Sequence, residues 1–122
     1  MKKLLFICAF SLLSSNAFAE WTVYAKAGSD TYYVDMSTQR KVDAYINVWT
    51  LADYTSPKDG ALSAKIYYQV SCKEDKYRFL SLVNTKKNMG DGEVLITLNQ
   101  RSDWFYVVPN SVVAGLTSLI CK

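Results

Sequence analysis

The sequence predicts an α+β domain: an antiparallel meander sheet that carries one C-terminal helix. Three observations lead there. Short β-rich runs recur along the chain with turn residues between them. The C-terminal stretch switches from a period of two to helical spacing. Two cysteines, Cys72 and Cys121, stand where a bridge would tie the helix to the sheet.

The strands can be taken in order. Trp21 to Lys26 alternates, with Trp21, Val23 and Ala25 on one face and Thr22, Tyr24 and Lys26 on the other. Gly28-Ser29-Asp30 turns the chain into a second run, Thr31 to Asp35. Met36 to Lys41 is polar and reads as a connection with a short helical turn. Val42 to Leu51 is the longest strand candidate. Val42, Ala44, Ile46 and Val48 share one face, and Tyr45, Trp49 and Leu51 the other. Two partly apolar faces suit a central strand. Asp53 to Gly60 reads as a turn, with Pro57 presetting its φ and Gly60 open to a left-handed position. Ser63 to Cys72 has the clearest period of two: Ala64, Ile66, Tyr68, Val70 and Cys72 on an apolar face, and Lys65, Tyr67 and Gln69 on a polar one. That pattern fixes the register and aims Cys72 at the core.

A charged tight turn, Lys73 to Lys76, leads to Tyr77–Asn84, a Gly- and Asn-rich loop at Thr85–Gly92, and a run from Glu93 to Asn99. A short aromatic run, Trp104 to Val108, ends at Pro109. Beyond it, Asn110 and Ser111 are candidate N-caps. Val112, Val113, Leu116, Leu119 and Ile120 then recur at helical spacing. So short and β-branched a helix does not stand alone in water and has to dock. Cys121 closes it, off the centre of the apolar stripe.

The first 19 residues read as an address. Lys2 and Lys3 precede an apolar stretch from Leu4 to Leu13, and Ala17-Phe18-Ala19 is a small-residue cleavage site. The stretch is too short to span a bilayer, which takes roughly 20 apolar residues. Residues 1–19 are therefore expected to be a secretory signal cut between Ala19 and Glu20, and residues 20–122 the mature domain. Cys8 leaves with the signal. Removing 19 of 122 residues leaves 103, with 12 of the 14 basic residues against 11 acidic ones, a net charge of +1. The basic footprint of a nucleic-acid binder is missing. An even cysteine pair in a small exported domain reads as one disulfide, the alternatives being two free thiols or metal ligands. The implied compartment is oxidising, periplasmic or secreted.

The sequence has no histidine. That excludes Ser-His-Asp and Cys-His catalysis, HExxH zinc sites and imidazole acid–base chemistry. No phosphate-loop, nucleophile-elbow or SxxK motif occurs in the mature chain. Asn88 to Gly92 lacks the ligand spacing of a calcium loop. No enzyme, metal or cofactor is expected. The aromatic content stands out instead: the mature chain holds nine Tyr, three Trp and two Phe. Trp21, Trp49 and Trp104 are expected to fill a small core. Tyr67, on a polar face beside Lys65 and Gln69, is a candidate contact for a partner protein or a second copy. Two loop sites join it: Tyr54 with Lys58 at a hairpin tip, and the Lys86-Lys87 doublet.

In this order the residues resemble the surface-adhesin protein E family of Gram-negative bacteria. The likeness rests on Trp21, Tyr32-Tyr33-x-Asp35, Val48-Trp49-x-Leu51, Ser63, Cys72-Lys73, Trp104, Pro109-x-Ser111 and Cys121. It implies a sheet of about six strands, with the helix tied to its concave face by a disulfide carried onto Cys72 and Cys121. It also implies adhesion to host matrix and serum proteins, with self-association into homodimers. The adhesin type holds a lipid on an N-terminal Cys, whereas the mature chain here starts at Glu20. The expected protein is thus secreted or periplasmic without a lipid or transmembrane anchor. Its partner would be a host matrix protein, or alternatively a bacterial envelope protein or small ligand.

Overall fold

The computed structural model describes residues 19–122. The expected signal segment through residue 18, Cys8 included, lies outside the described residues. Ala19 and Glu20 open the described chain, both exposed and without regular structure.

Eight strands and one helix follow: β1 (Trp21–Ala27), β2 (Asp30–Asp35), β3 (Arg40–Val42), β4 (Tyr45–Lys58), β5 (Ala61–Ser71), β6 (Lys76–Thr85), β7 (Val94–Leu98), β8 (Phe105–Tyr106) and α1 (Val112–Ile120). Six strands form one path in the order β1-β2-β4-β5-β6-β7, while β3 pairs with β4 and β8 with β6. All pairings are antiparallel. The order follows chain order because each connection is short, as in a meander.

Helix α1 covers one face of the sheet. Its Val113, Leu116 and Ile120 are buried against Val34, Val48, Tyr68 and Val70. These sheet residues all have even numbers, so they share one side of the pleat. Ser111 is the N-cap, its Oγ accepting from the Ala114 N–H at 3.2 Å. Burying the three helix anchors is worth on the order of 2 kcal/mol each, which stabilises a nine-residue helix that propensity alone does not.

Four sequence expectations need correction. Val42 to Leu51 is not one strand. Asp43 takes a left-handed φ of 56°, and Val42 pairs with Tyr45 across a two-residue turn. Asp tolerates that conformation, and the apolar residues around it hid the turn. Conversely, Asp53 to Gly60 is mostly strand. β4 continues to Lys58, and only Asp59 (φ 51°) and Gly60 (φ 83°) turn, the Asp-Gly pair that a tight hairpin favours. The face assignment in β1 fails because the register shifts between Val23 and Ala25. This β-bulge turns Tyr24 toward the core cluster and leaves Val23 exposed.

The fourth correction concerns Cys72. It lies just past β5 and is exposed, not buried in the core. The disulfide itself is present: Cys72 and Cys121 are bonded with Cα atoms 5.5 Å apart. Cys121 is the C-cap of α1, outside helical geometry, and its N–H donates to Thr117 O at 2.9 Å. The bridge therefore clamps the rim of the core. Gly115 shows how close the helix sits, since a Cβ there would lie 2.6 Å from the Tyr24 carbonyl oxygen.

Candidate protein-binding face

Because α1 takes one side of the sheet, the odd-numbered residues of β4 and β5 point to the other. Their cross-strand pairs line up in rows: Trp49 with Tyr67 and Ser81, Leu51 with Lys65 and Val83, Asn47 with Gln69 and Arg78. In β1 and β2, Trp21 pairs with Asp35. Val34 pairs with Thr50, so Asp35, the next residue, stands beside Trp49. The row thus reads Trp21, Asp35, Trp49, Tyr67 across four strands.

Aromatic and cationic groups meet along this face. The Trp49 and Tyr67 rings stack at 4.7 Å with an interplanar angle of 21°. Further along, the Trp104 ring lies 5.1 Å from Tyr45. The Arg78 guanidinium sits 4.1 Å above that indole and the Lys76 ammonium 5.0 Å from it. Arg78 Nε donates to Gln69 Oε1 at 2.8 Å, and Gln69 Nε2 donates to Asn47 Oδ1 at 3.0 Å. This chain of bonds explains how Gln69 and Asn47 stay nearly buried on a polar face. Between Trp21 and Trp49 the surface dips into a groove of about 400 Å³, lined also by Ala19, Asp35, Thr38, Lys65 and Val83.

The loop after β6 closes one end of the face. Asn88 Nδ2 donates to Tyr54 O at 2.8 Å and to Asp53 Oδ1 at 3.1 Å, and the Met89 N–H donates to the same Oδ1 at 2.7 Å. Ser63 Oγ, fully buried, accepts from the Gly90 N–H at 2.8 Å and bonds Thr85 Oγ1 at 2.7 Å.

The structure distributes the candidate residues unevenly. Tyr67 lies within the aromatic row. Tyr54 and Lys58 meet on the arm of the β4–β5 hairpin, with the Lys58 ammonium 4.9 Å from the Tyr54 ring centroid and 3.3 Å from Asp30 Oδ2. Lys86 and Lys87 are exposed on the loop that Asn88 ties to Tyr54. So the two loop sites come together at one end of the sheet, while Tyr67 stands apart from them.

The three tryptophans do not fill the core as the sequence leads one to expect. Instead all three are half-buried, and Trp49 and Trp104 line the face away from the helix. The clue was parity: Trp49 alternates with Val48 and shares its side with Leu51. Asp35, Lys65 and Arg78 carried no local signal, because cross-strand register is what assembles them.

These features define a class: a small, disulfide-clamped sheet-and-helix domain whose second sheet face carries an aromatic and cationic strip. Within that class, the surface-adhesin protein E family model matches residues 21–122, and the chain belongs to that family. Solved structures of Haemophilus influenzae protein E share the fold. Crystal form II aligns with a TM-score of 0.60 at 16% identity, covering 74% of this chain and 79% of that one. The structure from a non-typeable strain aligns with a TM-score of 0.60 at 14% identity, covering 89% and 81%. No curated protein sequence matches. Among the described residues, no helix is long and apolar enough to cross a membrane.

Proposed function

We propose that the protein is a non-enzymatic binding module of the adhesin type that engages a protein partner through the uncovered face of its sheet. One observation carries this reading. The helix occupies one side of the sheet, and the other presents a half-buried strip of Trp, Tyr and Arg. These are the residue types that dominate binding hot spots. In this reading residues 1–19 are a removable leader, residues 20–122 are the working domain, and Tyr54, Lys58, Lys86 and Lys87 form a second contact zone at the loop end. The site of action is the periplasm or the exterior.

The test uses the exported protein against immobilised matrix and envelope proteins, alongside Tyr67→Ala and a denatured sample. The expected result is saturable binding by the native protein, weakened at least tenfold in Tyr67→Ala. Equal behaviour of native and denatured samples across the panel overturns the reading. The groove between Trp21 and Trp49 favours a second reading, a periplasmic module for an envelope protein or small ligand. Fractionation discriminates the two, since exposure on intact cells counts against the periplasmic one.

A further inference from the structure

The carboxylate of Asp35 has half of its bonding accounted for. The residue is 4% exposed. Its Oδ1 caps the turn after β2, accepting from the Ser37 N–H at 3.0 Å and from the Ser37 hydroxyl. Its Oδ2 has no protein hydrogen bond and no Lys or Arg within ion-pair range among the described residues, and it keeps access to solvent, since no sealed side-chain oxygen there lacks a partner. It is an acceptor oxygen open to the groove, with lone pairs free for a donor that enters there. Asp35 lines the groove, flanked along its row by the Trp21 and Trp49 indoles; with Thr38, Lys65 and Val83 these walls remain when removal of the leader takes Ala19 away. The neighbouring Thr38 hydroxyl is already committed, donating to Asp35 O at 2.7 Å and accepting from the Trp49 N–H at 3.0 Å.

From this geometry we propose that the groove takes an arginine side chain of the partner protein. The inference rests on the protein-binding reading above and names the chemistry recognised at one point of that face. The guanidinium donates to Asp35 Oδ2 and lies against an indole. A planar cation fits this combination better than an ammonium does, because it stacks and donates at the same time. The same protein already pairs the two groups elsewhere, with Arg78 4.1 Å above Trp104. Lys65 also lines the groove but is not paired with Asp35. Its ammonium forms no ion pair with the carboxylate within 4.0 Å. The Lys65 stem is held instead against Gly90.

The experiment uses isotope-labelled protein, expressed with its own leader and purified after export. It is titrated with Nα-acetylarginine methylamide and, in parallel, with the uncharged isostere Nα-acetylcitrulline methylamide. Indole N–H signals report on the site. Saturable shifts of Trp21 and Trp49 are expected, with the arginine probe at least tenfold tighter and weakened by added salt. Asp35→Asn keeps an oxygen for Ser37 and should lower the arginine probe to the citrulline level. Trp21→Leu, which leaves Asp35 in place, should weaken it several-fold. Equal affinity for both probes, an unchanged Asp35→Asn, or shifts confined to Trp104 overturns the proposal. Binding that appears only after the Glu20 amine is blocked also overturns it, since the cation then comes from the chain's own start. If the partner panel succeeds while Asp35→Asn still binds the partner fully, this inference fails and the adhesion reading stands.

Discussion

Removing the disulfide should cost this domain a large part of its stability, and the structure says how the loss divides. The bridge joins positions 49 residues apart. In the chain-entropy model, releasing a loop of that length stabilises the unfolded state by about 4 kcal/mol. Cys72 is exposed and Cys121 half-buried, so replacing both by serine opens little cavity and the effect is mainly that of the unfolded chain. A domain of this size loses about 4–8 °C of melting temperature per kcal/mol, which gives a fall of about 15–30 °C. Cys121→Ser alone should behave similarly but leaves a free thiol at Cys72, so Cys72→Ser/Cys121→Ser is the cleaner variant. The assay is thermal unfolding by circular dichroism at neutral pH, beside the parent with and without reductant. Val113, Leu116 and Ile120 remain buried in the variant. The helix should therefore still dock, and signal should be lost in one transition. A fall below about 5 °C would refute the idea that the bridge restrains the unfolded chain. Two separate transitions would refute the idea that helix and sheet form one cooperative unit.

Further expectations concern the packing of helix, loop and core. Gly115→Ala gains up to about 1 kcal/mol of helix propensity but drives a methyl into the Tyr24 carbonyl, an overpacking cost of about 1–3 kcal/mol. Urea unfolding should show a net loss near 1 kcal/mol, and a gain would contradict the close approach. Ser63→Ala strands the Gly90 N–H and the Lys87 carbonyl, while the Thr85 hydroxyl keeps the Ser63 main-chain oxygen, for a loss of about 1–3 kcal/mol. Amide exchange at Gly90 should accelerate, and unchanged exchange would show that the loop is held by other bonds. Burial pushes the Tyr24 and Tyr68 hydroxyls above the ordinary phenol range. Above about pH 10 the unfolded chain then releases these protons first, and stability falls by about 1.4 kcal/mol per pH unit for each group. Below that pH the two contribute fully. Melting curves from pH 8 to 11 should be flat and then drop, and Tyr24→Phe should reduce the drop.

The sheet and helix were legible because burial imposes a period, and the period of β5 and α1 is clean. Ser111, Val113, Leu116 and Ile120 all stand where spacing put them. The turn at Asp43-Ala44 was hidden because nothing local marks it beyond an aspartate. The bulge at Tyr24 was hidden because a bulge inserts a residue without changing composition. Exposure of Cys72 followed from a strand that ends one residue earlier than its alternation suggested. The groove was least legible. Trp21, Asp35, Trp49 and Lys65 come from four strands, and only register makes them neighbours. Parity alone marks Tyr67, whereas its stacking partner Trp49 looks like a core residue until the strands are paired.

The last strand of the sheet bears on how the protein ages. Along β7 the residues Val94, Leu95, Ile96 and Leu98 are all exposed, and among the described residues the strand pairs only with β6. Its outer edge offers free main-chain donors and acceptors, unguarded by lysine, proline or a covering helix. The opposite edge is protected differently, since β1 carries a bulge and Gly115 of α1 sits against it. An edge like β7 is a template on which cross-β stacking grows once concentration or partial unfolding brings copies together. Solubility is then set at one strand and stability at another place altogether, so a lysine at Thr97 would lengthen shelf life while leaving the melting temperature where it was.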